Sequence, residues 1–451
     1  MDKNIKDSLK QAILKSLPVL HNFTIHNQYK EPYLVWSKRE DGAWRGQYEY
    51  RTCGHRVFWA AEKQLAEASS DFANLFFSEY ADYGGQNLVG CDGLGSQQLA
   101  HDKSHILKSA IGWLWDKHET FACQESDVDA VVNEFEEFID SPTMSVRFQA
   151  QLLNFTMTES LLHLPDNLIV RKLNEREISA LHGGPLMGGG SSRHSIMGCI
   201  HQFVIEGEYR GAKVVAGKFT NMMPAQETAN AQLDKAILCL RTFKEGFVGY
   251  QWVDMKFIKF CPLGLGSYGS HFKNVPPGVY NLSDEEVRVL PNYAQNIFAL
   301  SESALETACA RLSDAEARYR PQDQILDAVV GMEALLLAGL GKEDRRSELK
   351  YRFSMNYSTL FDSPKERWLA YKVAKDLYDH RSAIAHGGEL DAKELRVGDE
   401  KLNLHETAKR AKNTLRMVIK HFLPLAKTAP YKKLQFWEQK YFGISNPNAI
   451  E

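Results

Sequence analysis

The feature that most constrains the fold of this chain is the helical periodicity of its last third. From about residue 292 to residue 425, apolar side chains recur every three or four positions, the spacing that places them on one face of an α-helix. Pro321, Pro364 and the pair Gly387-Gly388 interrupt this pattern, as expected where helices begin or end. The sequence therefore predicts a succession of helices here.

The first 290 residues follow a mixed pattern. Residues around Tyr48 and Tyr50 alternate as in a β-strand, whereas residues 105–118 and 128–140 have helical spacing. After Pro142, strand-like runs (HQFVIEG, AKVVAGKF and VDMKFIKF) accompany one helix, AQLDKAILCLRTF. We predict a mixed fold, in which α+β N-terminal and middle regions precede an all-α helical bundle. The predicted domains are a mixed α/β region of unknown role over 1–145, an α+β middle region over 146–290, an α-helical domain over 291–430 and a basic-aromatic tail over 431–451.

Composition excludes several classes of protein. Hydrophobic residues make up 44% and charged residues 25%, as in soluble globular proteins, and the net charge of -3 gives no general attraction to nucleic acid. The seven cysteines are odd in number and lack CxxC spacing, which favours a reducing compartment over disulfides or a zinc knuckle. Residues 1–20 read as an amphipathic helix, and no apolar run is long enough for a membrane span. We expect a soluble, cytoplasmic protein that does not bind membranes.

The C-terminal segment departs from this neutral balance. Residues 401–451 contain ten Lys or Arg and three acids, and aromatic residues are interleaved with the last lysines. Basic and aromatic side chains together suit an RNA strand, with Lys409, Arg410 and Lys412 as candidate phosphate contacts. The alternative is a solvated helix face followed by an aromatic tail that docks on the core.

Other motif-like patterns lack a required part. GLGSYG at 264–269 matches the dinucleotide pattern, but Pro276-Pro277 prevents the helix that must follow it. The glycine-rich run at 183–193 has no Lys-Ser or Lys-Thr to complete a phosphate loop. Its default interpretation is a connector, and the alternative is a loop that gates a substrate site. His101 and His105 are spaced for one helix face, but no third ligand follows. We therefore expect neither a cofactor nor a metal site.

Two helices in the last third interrupt their own apolar stripes with a charge. Glu333 occupies such a position in DQILDAVVGMEALLLAGL, and Arg381 follows Leu369, Val373 and Leu377 on an i, i+4 ladder. A buried lone charge is costly, so each needs a partner or a wet cleft. The simplest interpretation is an ion pair between Glu333 and Arg381 that joins the two helices.

His386 adds chemistry to this pair. It directly precedes Gly387-Gly388 in the last helical turn, where the helix dipole favours the protonated imidazole, so it is a candidate general acid or base. Five residues rotate an ideal helix by about 140°, so Arg381 and His386 do not share one face. A two-fold dimer that joins these helix ends would gather two arginines and two histidines around one cleft.

Four segments of the last third share the pattern of a known family. They are MEALLL at 332–337, ELKYRF at 348–353, LYDHRS at 377–382 and RSAIAH at 381–386, the last with an arginine and a histidine separated by four residues. Over about residues 295–425 the chain resembles an Apea-like HEPN domain (higher eukaryotes and prokaryotes nucleotide-binding).

The resemblance implies a compact helical bundle that dimerises and, in active members, a metal-independent endoribonuclease with a composite Arg and His cleft. By this likeness His386 would transfer a proton at the ribose 2′-OH or the leaving 5′-oxygen, and Arg381 would stabilise charge on the phosphate. Glu333 and Ser382 would support them, although active members often carry Asn, Asp or His where this chain has Ser382. Many proteins of this branch act in phage defence or as toxins, with an unrelated N-terminal sensor. Expected partners are RNA, a second copy and a phage-derived or nucleotide trigger.

Two other functions fit the same sequence. The helical domain could bind RNA, nucleotide or protein without cutting, with Glu333 and Arg381 purely structural. Alternatively, the chemistry lies in the first 290 residues, and the helical domain serves only to dimerise.

Overall fold

The computed structural model divides the chain into two compact units, which we call the sheet unit and the helical unit. The sheet unit comprises residues 1–152, 166–233 and 250–271, and the helical unit comprises 153–165, 234–249 and 272–451. The structure describes residues 1–25, 30–40, 43–52, 54–91, 95–182, 184–185, 202–216, 224–264, 267–269, 279–340, 348–388, 390 and 395–443.

Helices and strands alternate in the first part of the chain, and helices dominate the last part. The helices are α1 (Lys3–Thr24), α2 (Gly54–Ala60), α3 (Glu62–Glu79), α4 (His105–His118), α5 (Glu125–Asp140), α6 (Glu175–His182), α7 (Pro224–Phe243), α8 (Asp284–Phe298), α9 (Ser303–Ala317), α10 (Pro321–Leu336), α11 (Leu349–Ser358), α12 (Pro364–Ala385), α13 (Leu404–Phe422) and α14 (Leu434–Tyr441). The strands are β1 (Lys30–Lys38), β2 (Trp44–Thr52), β3 (Val89–Cys91), β4 (Gly95–Gln97), β5 (Thr143–Leu153), β6 (Phe155–Met157), β7 (Leu161–His163), β8 (Ile169–Lys172), β9 (Gly184–Pro185), β10 (Phe203–Val215), β11 (Gly249–Phe257), β12 (Ser267–Gly269), β13 (Tyr280–Leu282), β14 (Leu395–Val397) and β15 (Glu400–Leu402). The fold is of the mixed class that the sequence predicts.

The sheet unit combines a helical layer with a mostly antiparallel sheet. The predicted helix at the N-terminus is confirmed as α1, which buries Leu9, Ile13 and Leu20 among the side chains of α3, α4 and α5. The main sheet has the strand order β12-β11-β5-β10-β3-β4, with β8 beside β10, and β1 pairs with β2 and β9 in a smaller sheet. None of the helices in the described part of the chain is long and apolar enough to cross a membrane.

Strand β10 differs from its prediction in length. HQFVIEG and AKVVAGKF read as two short strands, but Phe203–Val215 form one strand, which pairs with β5 from Val204 to Ala212. Gly207 does not break it, because glycine is used there for close packing. A Cβ on Gly207 would overlap Cζ of Phe148 and would lie 2.6 Å from Cδ2 of Leu168.

The helical unit is built around α10, which packs against α9, α12 and α13, while α11 packs against α12. Ser283, Ser363 and Asn403 each cap a helix through a capping box, so α8, α12 and α13 begin where the sequence places a start signal. Gly331 allows α10 and α13 to approach closely, since a Cβ on it would lie 2.6 Å from Leu415. One difference from the all-helical prediction is the hairpin β14-β15, which turns at Gly398 with φ +67°.

The predicted domain boundaries do not coincide with the two units. The boundary at 145/146 falls inside β5, and the one at 290/291 falls inside α8. Because β10 pairs with both β3 and β5, the middle strands belong with the N-terminal helices. The tail is continuous with the bundle, since Tyr431 and Trp437 are buried against Phe422.

Candidate active site

The predicted contact between Glu333 and Arg381 is present. Nη2 of Arg381, on α12, lies 3.1 Å from Oε2 of Glu333, on α10. The side chains are 28% and 18% exposed, so the pair lies at the edge of the bundle rather than in its centre. The two stripe-breaking charges thus meet where α10 and α12 pack.

The surroundings of this pair are partly apolar. Burial raises the pKa of the Glu333 carboxyl above its usual range, and the nearby Arg381 only partly opposes this. The guanidinium lies 5.9 Å from the centre of the Tyr378 ring. Among the described residues, Nε of Arg381 is buried and has no hydrogen-bond partner. Because this Nε is shielded from solvent, a phosphate outside the bundle can meet only the partly exposed remainder of the guanidinium.

His386 ends α12 where the sequence predicts a stop. Its backbone N–H donates to the carbonyl of Ser382 at 3.1 Å, and its side chain is exposed. Gly387 follows with φ +75°, and the N–H of Gly388 donates to the carbonyl of Ala383 at 2.8 Å, which closes the helix end. The imidazole is thus presented at the surface beside Ser382, a half-buried residue of the last turn.

The last two turns of α12 stand at the surface of the unit. Leu377 is the last buried residue of the helix, and none from Tyr378 to Ala385 is buried. In ideal helical geometry His386 lies about 140° around the axis from Arg381, which points to α10. One copy therefore places the two candidate catalytic groups on the same helix end but on different faces.

The three candidate RNA-binding residues on α13 have different surroundings. Nζ of Lys412 lies 2.8 Å from Oε2 of Glu316, and its side chain is only 12% exposed. Lys409 is 62% exposed and pairs with Glu245 at 3.1 Å. Arg410 is half-buried at a cavity that Tyr357 also lines. The structure thus uses Lys412 inside the bundle and leaves Lys409 as the most accessible of the three.

The weaker motifs show no assembled site. Nε2 of His105 lies 2.7 Å from the carbonyl oxygen of Pro262, and His101 precedes α4 rather than lying on it. Ser267–Gly269 of the GLGSYG motif form β12, while Gly266 and most of the run at 183–193 lie outside the described residues. In the described ranges, no group of three or more His, Cys, Asp or Glu side chains is placed to hold a metal ion.

Sequence reasoning missed an aromatic surface on α11 and α12. Trp368 and Tyr371 on α12, together with Tyr351 on α11, lie close together and are at least partly exposed. The available signal was the spacing of Trp368, Tyr371 and Lys375 at i, i+3 and i+7, which places them near one face of a helix. The apolar stripe of the same helix masked that signal.

No family model, curated protein or solved structure matches this chain. The site is therefore interpreted from its own chemistry. It offers a guanidinium whose side chain is 28% exposed and an exposed imidazole at one helix end. These groups suit stabilisation of a phosphate and transfer of a proton.

Proposed function

We propose that this protein is a metal-independent endoribonuclease of the HEPN type, with Arg381 and His386 as its catalytic residues. The observation that supports it best is their placement. Arg381 is fixed on α10 through Glu333, and His386 is exposed at the end of the same helix. The ion pair thus positions the side chain of Arg381, and the glycine stop fixes the backbone position at which α12 ends in His386.

In the proposed reaction, the ribose 2′-oxygen attacks the adjacent phosphorus and the bond to the 5′-oxygen breaks. One His386 accepts the proton of the 2′-OH, and a second histidine donates a proton to the leaving 5′-oxygen. Arg381 stabilises the charge that develops on the phosphate oxygens. The products carry a 2′,3′-cyclic phosphate and a 5′-hydroxyl, so no metal and no water are needed in the first step.

The proposed reaction needs two copies of the chain. Because Arg381 and His386 lie on different faces of α12, one helix end does not surround a phosphate. The surface at residues 378–385, which has no buried residue and includes Ala383 and Ile384, is the proposed two-fold contact. Analytical ultracentrifugation of the full chain should then show a dimer, and a strict monomer would contradict the composite cleft.

Product analysis tests the reaction itself. Purified protein is incubated with single-stranded RNA in EDTA, and the new ends are examined by mass spectrometry. Fragments with 2′,3′-cyclic phosphate or 3′-phosphate ends support the proposal. Cleavage that EDTA abolishes, or fragments with 3′-hydroxyl ends, would assign the activity to a different chemistry.

The second candidate function is a HEPN module that binds RNA, nucleotide or protein without cutting. It is favoured by the existing bond between Arg381 and Glu333, which already gives the arginine a structural role, and by Ser382 at the position after the arginine. Purified protein that retains RNA for hours in EDTA without shortening it would favour this candidate.

The cellular role is also part of the proposal. We propose a cytoplasmic phage-defence or toxin protein in which the sheet unit senses a phage-derived or nucleotide trigger. Expression of the wild-type chain should then arrest growth, and expression of His386→Ala should not. Growth arrest that persists with His386→Ala would instead place the chemistry in the first 290 residues.

A further inference from the structure

The helical unit carries an exposed group of aromatic rings, which we call the aromatic shelf: Tyr351, Trp368 and Tyr371. Trp368 is 61% exposed and Tyr351 is 52% exposed. The rings of Trp368 and Tyr371 are nearly parallel, at 9°, with their centres 5.8 Å apart. The Tyr351 ring meets that of Tyr371 edge-on at 6.4 Å. The shelf therefore presents flat aromatic surface to solvent.

The shelf borders a cavity of about 650 Å³ with cationic walls. Arg367 and Lys375 line it, and none of its described lining residues is acidic. Nζ of Lys372 lies 5.7 Å from the centre of the Trp368 ring and also pairs with the carboxylate of Asp399, so Lys372 is not counted among the free cations of the shelf. Exposed aromatic faces and the cations Arg367 and Lys375 together match the two parts of a single-stranded nucleic acid, its bases and its phosphates.

We propose that the aromatic shelf binds single-stranded RNA by base stacking and delivers it to the helix end that carries His386. The delivery of RNA to His386 rests on the proposed function, whereas the stacking of bases on the shelf does not depend on it. A flat exposed Trp and Tyr pair stacks on any base, so the proposal predicts little sequence preference.

Helical geometry connects the shelf to His386. Trp368 and His386 are 18 residues apart, which is five turns of an ideal helix, so they share one face about 27 Å apart along α12. Lys375 lies near that face, two turns from Trp368. The acid on the same path, Asp379, is paired with Lys350 at 2.5 Å, which reduces its repulsion of a phosphate backbone. A strand stacked on the shelf can therefore follow α12 to its C-terminal end.

Fluorescence anisotropy with a labelled 12-nucleotide single-stranded RNA tests the shelf. The full chain carries His386→Ala in every sample, so that the probe stays intact, and EDTA is present throughout. Adding Trp368→Ala or Tyr371→Ala should raise Kd by about 5- to 150-fold. Trp368→Phe should retain most of the affinity because it keeps a stacking face. Trp59→Ala, which removes a 76% exposed Trp from α2, is the matched control and should leave Kd unchanged.

An abasic strand of the same length separates stacking from charge. The abasic strand should bind the His386→Ala parent protein more weakly than the RNA does. Adding Trp368→Ala should not weaken the binding of the abasic strand further. Lys375→Ala should weaken both strands equally and reduce the salt dependence of Kd.

The outcomes distinguish this inference from the proposed function. If the wild-type chain cleaves RNA but Trp368→Ala and Tyr371→Ala leave Kd unchanged, the shelf proposal is overturned and the nuclease proposal stands. If no cleavage occurs but Trp368→Ala still weakens RNA binding, the shelf stands and the nuclease proposal falls. Absence of RNA binding by the parent protein, or a Trp368→Ala variant that only loses self-association, would assign the shelf to a protein contact and overturn the inference.

Discussion

Arg381 donates a hydrogen bond from Nη2 to Oε2 of Glu333 over 3.1 Å and so fixes the end of α12 on α10. Five residues later the same helix ends in the exposed His386. The first residue is part of the packing between helices, whereas the second contributes little to it. Substitutions at the two positions should therefore have different effects on stability, whatever they do to activity.

The first prediction compares these two residues by thermal unfolding. Arg381→Ala leaves the Glu333 carboxylate partly buried without its partner, which should cost about 3 kcal/mol or less because the pair is not fully buried. His386→Ala removes an exposed side chain and should change the free energy of unfolding by less than about 0.5 kcal/mol. Equal melting temperatures for the two variants would contradict the structural role of Arg381.

The second prediction concerns pH and the docking of the tail. Burial alone would raise the pKa of Glu302, but Lys432, the Tyr431 hydroxyl and two backbone amides outweigh it and lower the pKa to about 2. A carboxyl with a lowered folded pKa stabilises the fold above its ordinary pKa of about 4.5, and this contribution is lost as the pH falls from about 4.5 to 2.

Glu302→Gln should therefore reduce stability at pH 7 by about 1–3 kcal/mol and weaken the pH dependence of unfolding between pH 4.5 and 2. Chemical denaturation at several pH values measures both effects. Glu306→Gln, at an exposed position in the first turn of α9, is the control for the loss of an exposed carboxylate. If the free energy of unfolding of Glu302→Gln changes with pH in the same way as that of the wild type, Glu302 does not hold the tail.

The third prediction concerns the buried charges of α9 and α13. Glu316 is 3% exposed at its side chain and pairs with both Lys412 and Arg416. Glu316→Gln should lower the free energy of unfolding by on the order of 3–5 kcal/mol, since two cations lose their carboxylate inside the bundle. Lys409→Ala, which breaks the exposed pair with Glu245, should cost about 0–1 kcal/mol. Urea titration separates these values, and a small effect of Glu316→Gln would mean that water reaches the cluster.

The fourth prediction concerns RNA binding by α13. The double substitution of Lys409 and Arg410 by Ala should weaken RNA of every sequence and reduce the slope of log K against log salt by about 0.7 for each phosphate that is no longer neutralised. Lys63→Ala, at an exposed position of α3, is the control. Lys412 is omitted because its substitution would test the bundle rather than RNA binding. An unchanged slope would show that these cations only solvate the helix.

The sequence predicted the contact of Glu333 with Arg381 because each charge replaces an apolar residue on a stripe. When two such apolar stripes pack together, the surrounding side chains cannot pair with a charge, so two charges of opposite sign pair with each other. It also predicted the end of α12, since Gly387-Gly388 is a strong local signal. These successes depend on information within one or two helices.

The sequence did not predict the pairing of Lys412 with Glu316. Lys412 lies within a basic run, and only tertiary packing brings it to a carboxylate 96 residues earlier. The division into two units also depends on tertiary contacts, because it follows from which strands β10 pairs with rather than from local pattern. For the aromatic tail, the sequence was compatible with either RNA binding or docking on the core. The structure buries two of its aromatic residues, Tyr431 and Trp437.

The most direct test of the nuclease proposal is cleavage of single-stranded RNA in EDTA by the purified wild-type chain and by His386→Ala. His405→Ala, which removes an exposed histidine from the first turn of α13, is the control, and the melting temperature of each variant shows that it is folded. We expect the wild-type chain and His405→Ala to cut the RNA and folded His386→Ala to leave it intact. Full activity of folded His386→Ala would contradict it.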